Sequence, residues 1–176
     1  LKTTGIKSLN HLSHPIRNML RKLNDDDQVG VLCSLKLWKQ IEEAKKGRGD
    51  LIDGELFNTL KRFDLVTGYF GRDHQGSNAF EQCKALIMLG EYKPNLGSAK
   101  ADFESLTGLL DHDEDYNPSE RFDVLYREQI DAITAQAFGR LRSVWRPDLI
   151  FIYASERTSQ LKGVNWSLYK VDSRPI

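Results

Sequence analysis

The sequence predicts an α/β domain: a mainly parallel sheet flanked by helices on both faces. Three observations predict it. Short continuous apolar runs recur at 29–34, 65–70, 84–90 and 148–155. Segments with helical spacing separate them. The runs lack the apolar–polar alternation of a strand with one wet face, so they read as strands buried on both sides. Strands of that kind, joined by helices, belong to sheets covered on both faces. A length of 176 residues suits one such domain, because single cores hold roughly 100–200 residues.

Taken in order, the first ten residues, LKTTGIKSLN, carry no clear period. A helix is expected from Ser13, with Ser13 as its cap and Pro15 in its first turn. Ile16, Met19, Leu20 and Leu23 recur at helical spacing, and the acidic run at 25–27 ends the helix. Residues 1–28 are thus read as a helical extension of a domain spanning 29–176. VGVLCS (29–34) is the first strand, rich in β-formers and bounded by turn-like flanks. LKLWKQIEEAKK (35–46) places Leu37, Ile41 and Ala44 on one face and Lys and Glu on the other. DGELFNTLKRF (53–63) gives a further short helix, and LVTGYF (65–70) and KALIMLG (84–90) the next two strands. A loop at Pro94, Asn95 and Gly97 precedes a helix over 98–110, and HDEDYNP (112–118) reads as an acidic loop. Residues 118–142 carry the strongest helical pattern, started by Pro118 or Ser119 and spaced by Phe122, Leu125, Ile130, Ile133 and Ala137. DLIFIYAS (148–155) is a strand, and WSLYKV (166–171) is expected as a last strand at an edge.

Composition bounds the function. Lys plus Arg and Asp plus Glu are 25 each, a net charge of +0, with 40% hydrophobic and 28% charged residues. That is ordinary globular usage. It argues against gripping nucleic acid by bulk charge, and leaves a local basic patch open. No apolar run approaches the ~20 residues of a membrane helix, and no charged segment precedes an apolar one as in a signal peptide. Cys33 and Cys83 have neither CxxC nor Cys/His spacing and read as small core residues in a reducing, cytoplasmic compartment. The chain begins at Leu1 rather than Met, which points to processing or to a piece of something longer.

In a parallel sheet, function collects at the loops leaving the carboxyl ends of the strands. The most polar glycine-bearing loops follow LVTGYF and precede DLIFIYAS. The first lies in GYFGRDHQGSNAFEQCKALIMLG (68–90). Gly76 allows close backbone approach, and Ser77 and Asn78 offer hydroxyl and amide groups that suit phosphate or sugar, or simply cap the next turn. A short helical stretch is expected between this loop and the following strand. The second is QAFGRLRSVWRP (136–147). Gln136 and Arg140, four apart, project from the same face of a helix, and Gly139 removes a side chain beside them. Arg142 would stand roughly 200° around from Arg140 if the helix continued. Arginine suits charge on a transferring phosphoryl group, and equally complements the dipole of a solvated helix end.

Together, in this order and with these strands, the two segments resemble the second RecA-like domain of superfamily 2 helicases and related DNA-dependent ATPases. The resemblance covers about 29–155. VGVLCS and its helix look like motif IV. FGRDHQGSNAFEQCKALIMLG looks like motif V in the form found in phage and plasmid helicase-like proteins. QAFGRLR looks like motif VI, Gln-x-x-Gly-Arg followed by more arginine.

The resemblance implies roles. Arg140 is the arginine finger reaching the γ-phosphate of ATP bound on a partner domain. Gln136 positions that phosphate or the attacking water, and Gly139 permits the approach. The family places a second arginine three residues after the first; Ser143 stands there, which leaves Arg142 and Arg146 as the alternatives for the second phosphate ligand. Gly76, Ser77 and Asn78 couple the nucleotide cleft to the nucleic-acid track, with His74 in the same loop, and Ser34 touches a strand phosphate. No GxxxxGK[ST] phosphate loop and no DExx strand end occur in the sequence. In the family those parts, and most contacts to ATP and Mg²⁺, belong to the first RecA-like domain. The implied partners are that domain and nucleic acid, DNA in the first instance. The isolated chain is expected to bind ATP weakly and not to hydrolyse it. The competing expectation is a non-catalytic RecA-like module that binds nucleic acid or protein.

Other candidates are weaker. Asp111, Asp113, Glu114 and Asp115 lack the EF-hand spacing and its glycine and read as a solvated loop, with no metal site expected. His11, His14, His74 and His112 show no paired ligand spacing. Trp145, between Arg142 and Arg146, suits core packing or stacking on a base. Lys45, Lys46 and Arg48 form a small basic cluster that reads as a solvated face.

Overall fold

The structure is a computed structural model and describes residues 10–49, 54–73, 78–108, 118–139 and 148–155. The four apolar runs become strands β1 (Gln28–Cys33), β2 (Asp64–Tyr69), β3 (Ala85–Leu89) and β4 (Ile150–Ala154) of one sheet. Its order is β2-β1-β3-β4, and every neighbouring pair is parallel. The helices are α1 (Ser13–Leu20), α2 (Leu35–Lys45), α3 (Glu55–Leu60), α4 (Leu96–Thr107) and α5 (Pro118–Gly139). The expected α/β class, a parallel sheet with helices on both faces, is the class observed. WSLYKV lies outside the described residues.

Period-two alternation divides each inner strand between two apolar layers. Val29, Val31 and Cys33 of β1 and Ala85, Ile87 and Leu89 of β3 face α1, α2 and α3. On that side lie Ile16 and Leu20 of α1, Leu37, Ile41 and Ala44 of α2, and Leu56, Phe57 and Leu60 of α3. The segment expected as a helical extension therefore contributes to the same core as the sheet. Leu32, Leu86 and Met88 face the other way, onto Phe80, Cys83 and Ala137 of α5. The crossover from β1 to β2 runs over the first face. Those from β2 to β3 and from β3 to β4 run over the second, in the opposite direction along the sheet. Swapping face with direction keeps one hand throughout, as parallel connections require.

Phe80 holds the second face together. An added Cβ on Gly30 would lie 2.7 Å from Phe80 Cδ1 and 2.9 Å from Leu86 Cδ1; one on Gly68 would lie 2.8 Å from Phe80 Cζ. The two glycines stand on adjacent strands, where Gly30 pairs with Val66 and Leu32 with Gly68. Together they make a notch that the fully buried ring fills. Burying a phenylalanine contributes about 1.5–3 kcal/mol. Within the β2–β3 connection, residues 78–83 form turns instead of the expected short helix, and Phe80 supplies the apolar cover a helix would have given.

The outer edge of β2 is also covered. Trp38, Glu42 and Lys45, on one flank of α2, meet Tyr69, Thr67 and Leu65 in turn. Lys45 Nζ donates to the Leu65 carbonyl at 3.2 Å.

One cap and one helix start differ from expectation. Ser13 does not cap α1: its hydroxyl is buried and bonds Thr59 Oγ1 at 2.9 Å and the Glu55 carbonyl at 3.2 Å, joining α1 to α3. Asn95 caps α4, accepting the Ser98 N–H at 3.1 Å, so that helix begins at Leu96 and ends on left-handed Gly108. Cys33 and Cys83 are buried and form no disulfide, and burial pushes the Cys33 thiol up to about 12.

Gly30→Ala is expected to lower stability by about 1–3 kcal/mol through overpacking. Adding Phe80→Leu should cost less than the sum of the two changes, because both act on one notch; urea midpoints of the four-member cycle check it. A second expectation concerns Asp27, whose carboxylate meets Lys84 Nζ at 2.8 Å beside the entries to β1 and β3. The Lys84 hydrogen bond, with that of the Asn24 N–H, holds Asp27 below its ordinary value near 3.8. A depressed carboxylate adds stability above its unfolded value and loses it as pH falls through the folded one. Asp27→Asn should therefore be less stable than the parent at neutral pH, with the gap closing below about pH 4 in urea titrations at stepped pH.

Candidate functional site

The switch from leftward to rightward connections falls between β1 and β3, and ligands of open parallel sheets bind outside the carboxyl ends at such a point. Ser34 follows β1 there. Its backbone is extended, its Oγ accepts the Leu37 N–H at 3.3 Å, and its carbonyl accepts the Trp38 N–H at 2.8 Å. The residue expected on a strand phosphate thus also caps α2. Accepting that bond uses a lone pair and leaves the hydroxyl proton to donate.

The chain leaving β2 turns sharply at Gly71, φ +102°. Asp73 folds back and is 8% exposed. Its Oδ2 accepts the Tyr69 N–H at 3.0 Å. Arg72 Nε lies 2.9 Å from both carboxylate oxygens and Nη2 2.8 Å from Oδ2. The Asp73 hydrogen bond raises the already high pKa of Arg72. The guanidinium carbon stands 4.5 Å from the Tyr69 ring centre and 5.2 Å from that of Trp38, and those rings are 5.1 Å apart. Asn78 is exposed, and its carbonyl accepts the Glu81 N–H at 3.0 Å.

At the ends of β3 and β4, Gly90 (φ +88°) donates its N–H to the Ala154 carbonyl at 2.8 Å. The chain then presents Glu91, whose Oε1 accepts the Tyr153 hydroxyl at 3.1 Å and the Ser155 hydroxyl. Burial pushes the Tyr153 phenol above its ordinary range.

Helix α5 packs along β3 and β4 against the strand direction, its amino-terminal half toward their carboxyl ends and its last turn toward their starts. Ile130, Thr134 and Ala137 form its buried face, Phe138 meets Phe151 edge-on at 5.2 Å, and Tyr126 donates to the Pro94 carbonyl at 2.8 Å. Gln136 is exposed, roughly 120° around from that buried face at 100° per residue. Gly139 is exposed, and a Cβ there would meet nothing within 4 Å.

The described residues therefore place Ser34, Asn78, Gln136 and Gly139 on the carboxyl-end loops, on the second face and on α5; among the described residues no hydrogen bond links Ser34, Asn78 and Gln136. His74, Gly76, Ser77, Arg140, Arg142, Arg146, Trp145 and the acidic run 111–115 lie outside the described residues. In the basic cluster, Lys45 pairs with Glu42 at 3.2 Å and Lys46 with Glu43 at 3.4 Å. Among the described residues no group of three or more His, Cys, Asp or Glu is placed to hold a metal ion. No helix among them is long and apolar enough to cross a membrane.

Sequence reasoning missed two clusters. Glu91 had a readable signal, an acid directly after a buried run ending in glycine. The Arg72–Tyr69–Trp38 cluster had none, because Trp38 and Tyr69 belong to separate elements and share no local spacing.

Compared with family models, with curated proteins and with solved structures, the chain matches none.

Glu91→Ala is expected to lower stability by about 1–2 kcal/mol, since two hydroxyls lose a charged acceptor. Glu91→Gln should retain most of it through its amide oxygen. Thermal or urea denaturation of the two variants side by side checks this.

Proposed function

We propose that this chain is the second RecA-like domain of an ATP-dependent helicase- or translocase-like protein acting on nucleic acid, DNA in the first instance, in the cytoplasm. The observation that carries the reading is the exposure of Gln136 and Gly139, the described residues of the Gln-x-x-Gly-Arg pattern. Gln136 stands exposed on α5, and α5 reaches Gly139 where open space adjoins the helix. A second domain approaching this flank would meet Gln136 and the backbone of Gly139 without displacing the core, and Arg140 follows directly in sequence. The all-parallel sheet and the order of the three segments also support the reading.

ATP and Mg²⁺ would be held mainly by the partner domain, and the exposed Gln136 and unobstructed Gly139 fit a nucleotide presented from outside. The bound nucleotide would supply the phosphoryl group transferred to water; its binding would favour closure of the two domains and its hydrolysis their release. On this chain, Gln136 orients the attacking water through its amide. Arg140 sets a fixed positive charge where negative charge develops, and Arg142 or Arg146 adds a second. Ser34 donates its hydroxyl proton to a backbone phosphate, and His74, Gly76, Ser77 and Asn78 line the track beside it. Closure moves these groups together along the strand. The non-catalytic module is the second reading, and the absence of GxxxxGK[ST] from the 176 residues fits both. A phosphate-loop motif within a few hundred residues upstream of Leu1 in the coding sequence supports the motor, and its absence supports the module.

In the protein that joins this chain to an ATP-binding domain, Arg140→Ala should cost on the order of 10³-fold in nucleic-acid-stimulated ATP hydrolysis, with an unchanged circular dichroism spectrum. Near-parental hydrolysis by a folded variant overturns the assignment.

A further inference from the structure

We propose that Arg72, Tyr69 and Trp38 form a stacking platform for an unpaired nucleobase, so that the nucleic acid this domain takes is a single strand. The choice of a nucleobase as ligand rests on the function proposed above; the platform itself rests on geometry.

Arg72 is 52% exposed in its side chain, yet it is not a loose surface arginine. Its Nε and one Nη are committed in plane to Asp73, and Asp73 is in turn fixed by the Tyr69 N–H. Its guanidinium lies over two rings, at 4.5 and 5.2 Å. With its Nε–Nη2 edge engaged by a buried carboxylate, this arginine keeps only its outer Nη protons for a phosphate. What such an arginine offers outward is its flat surface. Guanidinium planes and aromatic rings are what unstacked bases lie on.

The choice of Trp38 agrees. Its Nε1 is buried and finds no hydrogen-bond partner among the described residues. Phenylalanine would fill the place with no orphaned donor, whereas the indole supplies the widest and most electron-rich surface under a cation. The position agrees as well. Trp38 lies one helical turn after Ser34, at the carboxyl ends of β1 and β2, and Lys36 and Lys39 stand exposed on the same first turns of α2. A strand whose phosphate meets Ser34 has a base within reach of the platform and two ammonium groups beside its backbone. A duplex keeps its bases stacked on each other and has none to offer.

The test is fluorescence anisotropy of labelled 12-nucleotide oligo(dT) and oligo(U), and of a 12-base-pair DNA duplex, titrated with the chain at low salt. The parent is expected to prefer the single strands. Arg72→Ala and Trp38→Ala should each weaken that binding about 10-fold. Arg72→Lys keeps the charge and loses the plane, and should weaken it nearly as much with an unchanged salt dependence. Trp38→Phe, which preserves a packed ring, should retain most of the affinity and lose the tryptophan quenching that oligo(dT) causes in the parent. Equal preference for oligo(dT) and oligo(U) supports the platform as stated, and preference for one names its strand. If Arg72 only locks the turn after β2, the alanine variant loses stability and binds like the parent; that overturns the platform and leaves the motor reading standing. Tighter binding to the duplex overturns the single-strand inference, and no binding to any probe overturns it together with the nucleic-acid role. The platform stands apart from the ATPase result, because Arg72 takes no part in hydrolysis.

Discussion

One aromatic ring settles how the second face of the sheet is built. Phe80 lies where Gly30 and Gly68 have left side chains out of two adjacent strands. Its own strand has not yet begun, so the ring anchors a connection on strands laid down earlier in the chain. Close packing makes the contact unforgiving, since no neighbour can yield the space a methyl would need. Everything carried by the β2–β3 connection depends on it. Arg72 and Asp73 stand between the end of β2 and this anchor, and Asp73 Cβ itself would lie 2.8 Å from a Cβ on Gly68. Gly68 thus admits both the ring and the carboxylate that orients Arg72.

The first face follows a looser rule. There α1, α2 and α3 bury leucine and isoleucine against alternating residues of β1 and β3, with Ser13 and Thr59 hydrogen-bonded between two helices. This layer is spread over many side chains. The division of labour fits the functional proposal. The helices of the first face stabilise the sheet. The second face and the carboxyl ends carry polar groups held by short, specific bonds: Asp73 on Tyr69, Glu91 on Tyr153 and Ser155, and Tyr126 on the Pro94 carbonyl.

How much of this was legible depends on the range of the interaction that decides each feature. Continuous apolar runs gave the strands, because a strand buried on both sides needs no information from elsewhere. Leu37, Ile41 and Ala44 gave α2 and its buried face for the same reason. Ser13 was misread as a cap because its partner, Thr59, lies 46 residues away and competes with the local bond. The turns at 78–83 were misread as a helix because the glycines that seat Phe80 belong to other strands. The sheet order was not readable at all, since it follows from which faces the connections cover. Of the candidate site, the residues on α5 and at the end of β1 are nominated by a local pattern. The cluster around Arg72 needed the register that brings α2 against β2.

The flank of α2 along β2 has a further consequence, for solubility and assembly. In the described sheet β2 is an outer strand, and its outward backbone groups would invite pairing with another chain. Side chains occupy two of them: Asp73 takes the Tyr69 N–H, and Lys45 takes the Leu65 carbonyl. Trp38 and Glu42 fill the space between. An added strand, from the same molecule or from another, would have to displace these side chains before it could pair with β2.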